Sequence, residues 1–243
     1  MKKLLYIAAA LLVLAGCNNK EEENGTQNEP AIYGTITGKI ELPQGEDAKT
    51  GARHISAPTG WEAMAEAFTM QWESGDAIYI YNGQECKQLS NPSITNNIAT
   101  FEGELLDNMS SYNVAYGDNP MADVTSVNVP YIAGNYRPFG WGTGSYNSFT
   151  IDNFGPVIGL QLKGTGALSR IEVVVMKEEV AQVTYTMTPE TAIALSSTAT
   201  KVYFPLNDLG DADELVVKFY KNETVFMSQE ITVLPAKNEV SVY

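Results

Sequence analysis

The stretch TITGKIEL, residues Thr35–Leu42, alternates apolar and polar side chains and sets the fold class. Successive side chains of a β-strand point to opposite faces, so Ile36, Ile40 and Leu42 share one face. The same period of two recurs in AIYIY (77–81), ATFEGEL (99–105), YNVAY (112–116), VIGLQLK (157–163), RIEVVVM (170–176), AQVTYTM (181–187), KVYFPL (201–206), ELVVKFY (214–220), VFMSQEITV (225–233) and EVSVY (239–243). Such strands, separated by Gly, Asn, Asp and Pro turns, predict an all-β chain of antiparallel sandwiches.

One segment, TGWEAMAEAF (Thr59–Phe68), departs from this period. Thr59 and Glu62 match a capping box. Helical spacing is shown by Trp61, Met64, Ala65 and Phe68. The pattern predicts one short helix, packed on a sheet of the first domain.

The chain is too long for one sandwich of about 100 residues, so we expect two domains in tandem. The predicted domains are 33–150 and 151–243. Their boundary is expected in a stretch rich in glycine and aromatic residues, YIAGNYRPFGWGTGSYNSF (131–149).

The aromatic side chains of this stretch have two interpretations. On an exposed loop they would stack on sugar rings, and the candidate ligand-binding residues are then Tyr136, Phe139, Trp141 and Tyr146. In the alternative, which we favour, they pack between the two domains as part of a linker.

The amino-terminal segment has the features of a lipoprotein signal peptide. Lys2 and Lys3 precede an apolar run, Leu4–Leu14, that is too short to cross a bilayer. The run ends in Leu-Ala-Gly-Cys, which resembles the lipobox of bacterial lipoproteins. We therefore predict a signal peptide over 1–16 and a lipid such as palmitate on Cys17, over the alternatives of an ordinary secretory signal or a short core helix.

A polar segment follows the lipidated cysteine. Residues 18–29 contain no apolar side chain, so we predict a flexible tether over 17–32. Its acidic run, Glu21–Glu23, resembles an export signal that places lipoproteins on the outer face of the outer membrane. A solvated spacer would have the same composition.

Composition argues against several classes of function. The net charge of −14 repels phosphate backbones, which argues against a nucleic-acid partner. With Cys17 lipidated, Cys86 is the only remaining thiol and no internal disulfide is expected. The single histidine, His54, has no nucleophile motif or metal-ligand spacing around it. We expect no enzyme activity, cofactor or metal, although a pair of carboxylates that meets only in space stays open.

The acidic run NDLGDADE (Asn207–Glu214) offers Asp208, Asp211 and Asp213 as calcium ligands. Their spacing does not match an EF-hand loop. A solvated turn between two strands is the interpretation we favour.

A short polar run, GEDAKTGARHIS (Gly45–Ser56), places basic residues close together in an otherwise acidic chain. It contains Arg53, one of only three arginines, and Lys49. Arg53 is the first candidate for proteolytic processing and Lys49 the second. An ordinary polar loop would also explain the run.

Three longer stretches carry a resemblance to a known family. They are WESGDAIYIY (72–81), FEGELLDNMSSYNVAYGDNP (101–120) and FGPVIGLQLKGTGALSRIEVVV (154–175). Together with the lipobox and the strand at 35–42, they resemble the fimbrillin-like lipoproteins of Gram-negative anaerobes over most of the chain. In the first stretch, Gly75 allows a tight turn, Asp76 can accept backbone N–H groups within it, and Trp72 anchors the turn on the core.

The resemblance implies a fold and an assembly mechanism. Fimbrillins have two transthyretin-like β-sandwich domains, and a protease cuts a loop after their first strand. A strand of another subunit then fills the groove that the first strand leaves. Here the implied partners are other fimbrial subunits, the outer membrane through Cys17, and a host or bacterial surface ligand. Candidate donor strands are Gln229–Val233 and Glu239–Tyr243.

The chain is thus expected to be a subunit or an anchor of a surface fimbrium that serves adhesion. The alternative is a surface glycan-binding lipoprotein of a polysaccharide-utilisation system.

Overall fold

The computed structural model describes residues 31–42, 54–55, 63–66, 70–117, 125–207, 209–232 and 234–243. This part of the chain is all-β, as predicted. Its strands are β1 (Tyr33–Ile40), β2 (His54–Ile55), β3 (Ala63–Glu66), β4 (Ala77–Tyr81), β5 (Cys86–Ser90), β6 (Ser93–Thr95), β7 (Ile98–Glu104), β8 (Tyr112–Tyr116), β9 (Ser126–Asn128), β10 (Gly140–Ser145), β11 (Ser148–Phe154), β12 (Val157–Leu162), β13 (Gly166–Leu168), β14 (Arg170–Lys177), β15 (Val180–Met187), β16 (Ile193–Leu195), β17 (Thr200–Pro205), β18 (Glu214–Lys221), β19 (Thr224–Ile231) and β20 (Val240–Val242). Among the described residues, no helix has the length and apolar character that crossing a membrane requires.

The predicted helix is wrong at Ala63–Glu66, which form strand β3. This strand pairs with β20 on one side, Met64 opposite Val242, and with β2 on the other. Alanine, methionine and glutamate favour a helix by intrinsic propensity. Two neighbouring strands satisfy the backbone hydrogen bonds here, and this tertiary pairing outweighs the local preference. The rest of Thr59–Phe68 lies outside the described residues.

The chain divides into two compact units. The first unit comprises 1–40, 71–122 and 141–151, and the second comprises 41–70, 123–140 and 152–243. The chain therefore passes between the units several times, the last time after residue 151. The domain bounds 33–150 and 151–243 remain a prediction of the sequence.

The first unit is built on one sheet of eight strands in the order β5-β4-β8-β10-β11-β1-β7-β6. Strand β5 also contacts β7 near the other end of this order, so the sheet curls on itself. An ion pair between Lys87 of β5 and Glu104 of β7 joins these strands. The curled sheet encloses a core in which Trp72 packs edge-on against Phe101, Tyr116 and Phe149, with ring centroids 5.6–6.1 Å apart.

The second unit contains two five-stranded sheets, β17-β12-β20-β3-β2 and β19-β18-β14-β15-β9, and a two-stranded sheet, β13-β16. Its core joins apolar side chains of both larger sheets. Ile158 and Phe204 come from the first of them, and Val173 and Val217 from the second, and none of the four is exposed. A core shared by two sheets is the arrangement of a β-sandwich.

Candidate functional site

The turn before β4, Trp72–Asp76, has a structural role in the fold, and we call it the Trp-x-x-x-Asp corner. Asp76 is only 2% exposed, and its Oδ2 accepts a hydrogen bond from the Glu73 backbone N–H at 2.7 Å. Its Oδ1 accepts a second one from the Tyr116 hydroxyl at 2.9 Å. Trp72, 5% exposed, anchors the corner in the aromatic core. The predicted roles of Trp72 and Asp76 in the turn are confirmed.

Strand β1 lies inside the sheet of the first unit. It pairs antiparallel with β7 over seven residues, from Tyr33 opposite Glu104 to Lys39 opposite Ile98. On its other side it runs parallel to β11, with Thr37 opposite Ser148. Because both edges of β1 are paired, its removal would expose two rows of backbone groups at once.

The side chains of β1 divide between the two faces of the sheet. Ile36 is fully buried, and Ile40 is half-buried. Leu42, beyond the end of the strand, is also half-buried. Of the three apolar residues that the sequence places on this face, Ile36 is therefore the principal anchor.

Gly38 is the residue of β1 that sequence reasoning missed. It is buried, and a Cβ at this position would lie 1.9 Å from Cζ of the Phe149 ring on β11. A glycine inside an alternating strand is the signal that would have found it, because such a glycine marks a close approach.

A groove of about 540 Å³ lies beside β1 in the first unit. Its lining includes Lys39, Ile98 and six hydroxyl side chains, those of Thr37, Ser111, Thr143, Ser145, Ser148 and Thr150. Thr37 donates its hydroxyl hydrogen to the Asn147 carbonyl at 3.2 Å. None of the four aromatic residues proposed for sugar binding lines this groove.

The structure divides those four aromatic residues between the two units. In the second unit, Phe139 is 9% exposed and its ring centroid lies 6.4 Å from that of Tyr185, while the ring of Tyr136 packs 5.2 Å from that of Tyr203. In the first unit, Trp141 is half-buried on β10, and Tyr146 is 70% exposed at the turn between β10 and β11. Phe139 is thus a core residue, and Tyr146 is the most accessible of these four aromatic residues.

Both candidate processing residues, Arg53 and Lys49, lie outside the described residues. The next residue after Arg53, His54, begins strand β2 and pairs through its backbone with Met64. The run that the sequence presents as a polar loop therefore ends in a strand.

The acidic run near β18 makes structural contacts. Lys177 forms an ion pair with Asp211 and donates a hydrogen bond to its carboxylate. This hydrogen bond lowers the pKa of the Asp211 carboxyl group. Asp213 Oδ2 accepts the Glu178 backbone N–H at 2.8 Å. Asp208 lies outside the described residues, and within them no group of three or more His, Cys, Asp or Glu side chains is arranged to hold a metal ion.

The anchoring segment is the part of the chain that a comparison with known proteins recognises. Residues 1–18 match the family model of the prokaryotic membrane lipoprotein lipid attachment site. The chain carries a lipoprotein attachment site. The matched residues include Cys17, which supports anchoring to a membrane through a lipid on this cysteine. No curated protein and no solved structure matches the chain.

Proposed function

We propose that this lipoprotein is a structural subunit, or an accessory or anchor protein, of a cell-surface fimbrium that serves adhesion. Its subunits join by donor-strand exchange after a protease removes the first strand. The observation that carries the proposal is the place of β1 between β7 and β11, with Ile36 fully buried. A strand in this place, followed by a segment that contains Arg53 and Lys49, supports strand exchange after a cut.

Loss of β1 would create an acceptor groove. It would expose the ladder partners on β7 and β11 and the apolar site of Ile36. Burial of one such side chain stabilises a fold by roughly 1.5–3 kcal/mol. An incoming strand of similar pattern restores both the backbone pairing and this burial, so the exchange itself is nearly balanced in free energy. The peptide-bond cut makes it irreversible.

The segment in which a cut would detach β1 is short. Residues 41–53 connect β1 to β2, and both Arg53 and Lys49 belong to this segment. A cut after Arg53 separates β1, the tether and the lipidated Cys17 from the rest of the chain. Processed subunits then reside in the fimbrium, whereas an unprocessed copy stays in the outer membrane, exposed at the surface, as an anchor.

Mass spectrometry of the amino terminus of the mature protein from cells tests the proposal. We expect a terminus at His54 in the processed form, together with a ladder of polymers on gels of unboiled sample. A terminus found exclusively at lipidated Cys17, with no ladder, would rule out the processed subunit and leave only the anchor role.

A further inference from the structure

The space between Gly38 of β1 and the Phe149 ring of β11, here called the slot, has no room for a side chain. At Gly38, a Cβ would lie 1.9 Å from Cζ of Phe149 and 2.2–2.4 Å from both of its Cε atoms. These separations are far below the contact distance of two carbon atoms, about 3.5–4.0 Å. A residue other than glycine at this position therefore forces the Phe149 ring to move.

The Phe149 ring is held in place by other aromatic rings. It is 4% exposed, and its centroid lies 6.1 Å from those of Trp72 and Phe101. Trp72 in turn packs on Tyr116, whose hydroxyl group donates a hydrogen bond to Asp76. Moving the ring would disturb the whole core of the first unit, so the slot selects glycine.

Three further positions of β1 complete the pattern that fits the acceptor groove between β7 and β11. A Cβ at Gly34 would lie 2.8 Å from Cδ1 of Leu105, a flexible side chain that can give way more easily than the ring. Between the two glycines, Ile36 fills a fully buried site, and Ile40 follows with a half-buried side chain. The groove thus fits the sequence Gly-x-Ile-x-Gly-x-Ile, with the second glycine the most strictly required.

The sequence contains few segments of this kind. Glycines four residues apart occur at 34 and 38, at 140 and 144, and at 155 and 159. The second pair has glycine midway, and the third is followed by Gln161 where the pattern has isoleucine. Only β1 itself satisfies all four positions.

The two carboxy-terminal donor candidates do not fit the slot. Neither Gln229–Val233 nor Glu239–Tyr243 contains glycine. In addition, Val240, Ser241 and Val242 are 0% exposed in β20, between β12 and β3, so their withdrawal would open the second unit.

We infer that the groove between β7 and β11 accepts a strand only if glycine stands opposite Phe149, and that the strand that occupies it in an assembly is β1 of a second copy of this chain. The inference rests on the proposed function and names the donor in it. A copy that has lost β1 presents the empty groove, and an uncut copy inserts its own β1 there. The cut copy belongs to the fimbrium and the uncut copy stays anchored through the lipid on Cys17, so the inserted β1 joins the fimbrium to its anchor copy.

A peptide-exchange experiment tests this selectivity. A site for a sequence-specific protease is placed within residues 43–52 of the mature full-length chain, and the protein is cut in detergent. The cut protein is unfolded in urea and refolded with excess fluorescent peptide 31–42, and the bound peptide is measured after gel filtration. Peptides with Gly38→Ala and with Thr35→Ala are compared, together with a peptide of residues 237–243.

We expect peptide 31–42 and its Thr35→Ala control to bind alike, because Thr35 is exposed. The Gly38→Ala peptide should bind at least about tenfold more weakly, as overpacking of a core does. In the Phe149→Ala protein the Gly38→Ala peptide should regain most of this loss, because the ring that excludes it is gone. Equal binding of the glycine and alanine peptides, no incorporation of peptide 31–42, or better binding of 237–243 would each overturn the inference.

The engineered cut separates this test from that of the proposed function. If cells never cut the chain after Arg53 and no polymer forms, the processed-subunit proposal fails, although the glycine selectivity of the groove is still measured. If cells do process the chain but the Gly38→Ala peptide binds normally, only the assignment of the donor fails.

Discussion

Tyr116 donates its hydroxyl hydrogen to Asp76 Oδ1 at 2.9 Å in the interior of the first unit. The two residues are 4% and 2% exposed. The bond ties the corner before β4 to the end of β8, and Trp72 of the same corner packs against the Tyr116 ring. The corner, the neighbouring strand and the aromatic core below β1 are therefore one connected structure.

Tyr116→Phe should destabilise the first unit by ~1–3 kcal/mol, because it leaves a buried carboxylate oxygen without this donor. Urea unfolding followed by tryptophan fluorescence measures the change. The matched control is Tyr146→Phe, whose hydroxyl group belongs to a residue 70% exposed. If both variants unfold at the same urea concentration, the bond does not contribute to stability.

Ile36→Ala should cost ~2–5 kcal/mol in the free energy of unfolding, because it opens a cavity at the fully buried anchor of β1. Thr35→Ala, on the exposed face of the same strand, serves as the control and should stay within ~0.5 kcal/mol of the parent chain. Chemical denaturation of both variants gives the comparison. A loss for Ile36→Ala no larger than that of the control would show that β1 contributes little to the unit.

Alkaline pH should weaken the first unit through Tyr112. Burial raises the pKa of this hydroxyl group to about 12. The folded state therefore holds the proton more tightly than the unfolded chain, whose tyrosines titrate near pH 10. The stabilisation is fully present below pH 10 and is lost as the pH rises from 10 towards 12.

Tyr112→Phe removes this contribution, together with the hydrogen bond from the hydroxyl group to the Ser148 carbonyl at 3.0 Å. Unfolding midpoints at about pH 9 and about pH 11 should differ less in the variant than in the parent chain. Tyr146→Phe, at an exposed position, is measured in parallel as the control. An undiminished difference in Tyr112→Phe would contradict the assignment.

Arg53→Gln should abolish processing in cells if the proposed cut is made there, because a protease specific for arginine requires the guanidinium group at the bond it cleaves. The amino terminus found by mass spectrometry should then move from His54 to the lipidated Cys17, and the polymer ladder should disappear. Lys49→Gln is the control and should leave the terminus at His54. The opposite result would make Lys49 the processing residue.

Trp141 distinguishes the two candidate functions. Under the proposed assembly function, Trp141→Ala leaves the polymer ladder in place, since this residue lies on β10, which does not pair with β1. Under the glycan-binding alternative, the same change abolishes sugar affinity, because the stacking surface is lost. Calorimetry with polysaccharides and gels of unboiled sample measure the two outcomes. Sugar affinity that depends on Trp141, without a ladder, would favour the alternative.

Strands with clear alternation were predictable because their period is a local property. AIYIY coincides with β4 and YNVAY with β8. Strand β10 was not predicted, because GWGTGS has the composition of a loop. The reason for its glycines lies in packing. A Cβ at Gly142 would lie 1.8 Å from the Thr150 carbonyl oxygen, and one at Gly144 would lie 2.3 Å from the Tyr112 ring.

The sequence by itself determined the lipid attachment site, the all-β class and the chemistry of the Trp72–Asp76 corner, since each depends on neighbouring residues or on a local period. Only the tertiary structure decided that Ala63–Glu66 is a strand and that β1 lies parallel to β11. The backbone N–H of Thr37 donates a hydrogen bond to the Asn147 carbonyl at 2.9 Å, although 110 positions separate the two residues. Pairing over such distances depends on which edges and rings meet in space, and this is why the slot between Gly38 and Phe149 cannot be read from either segment alone.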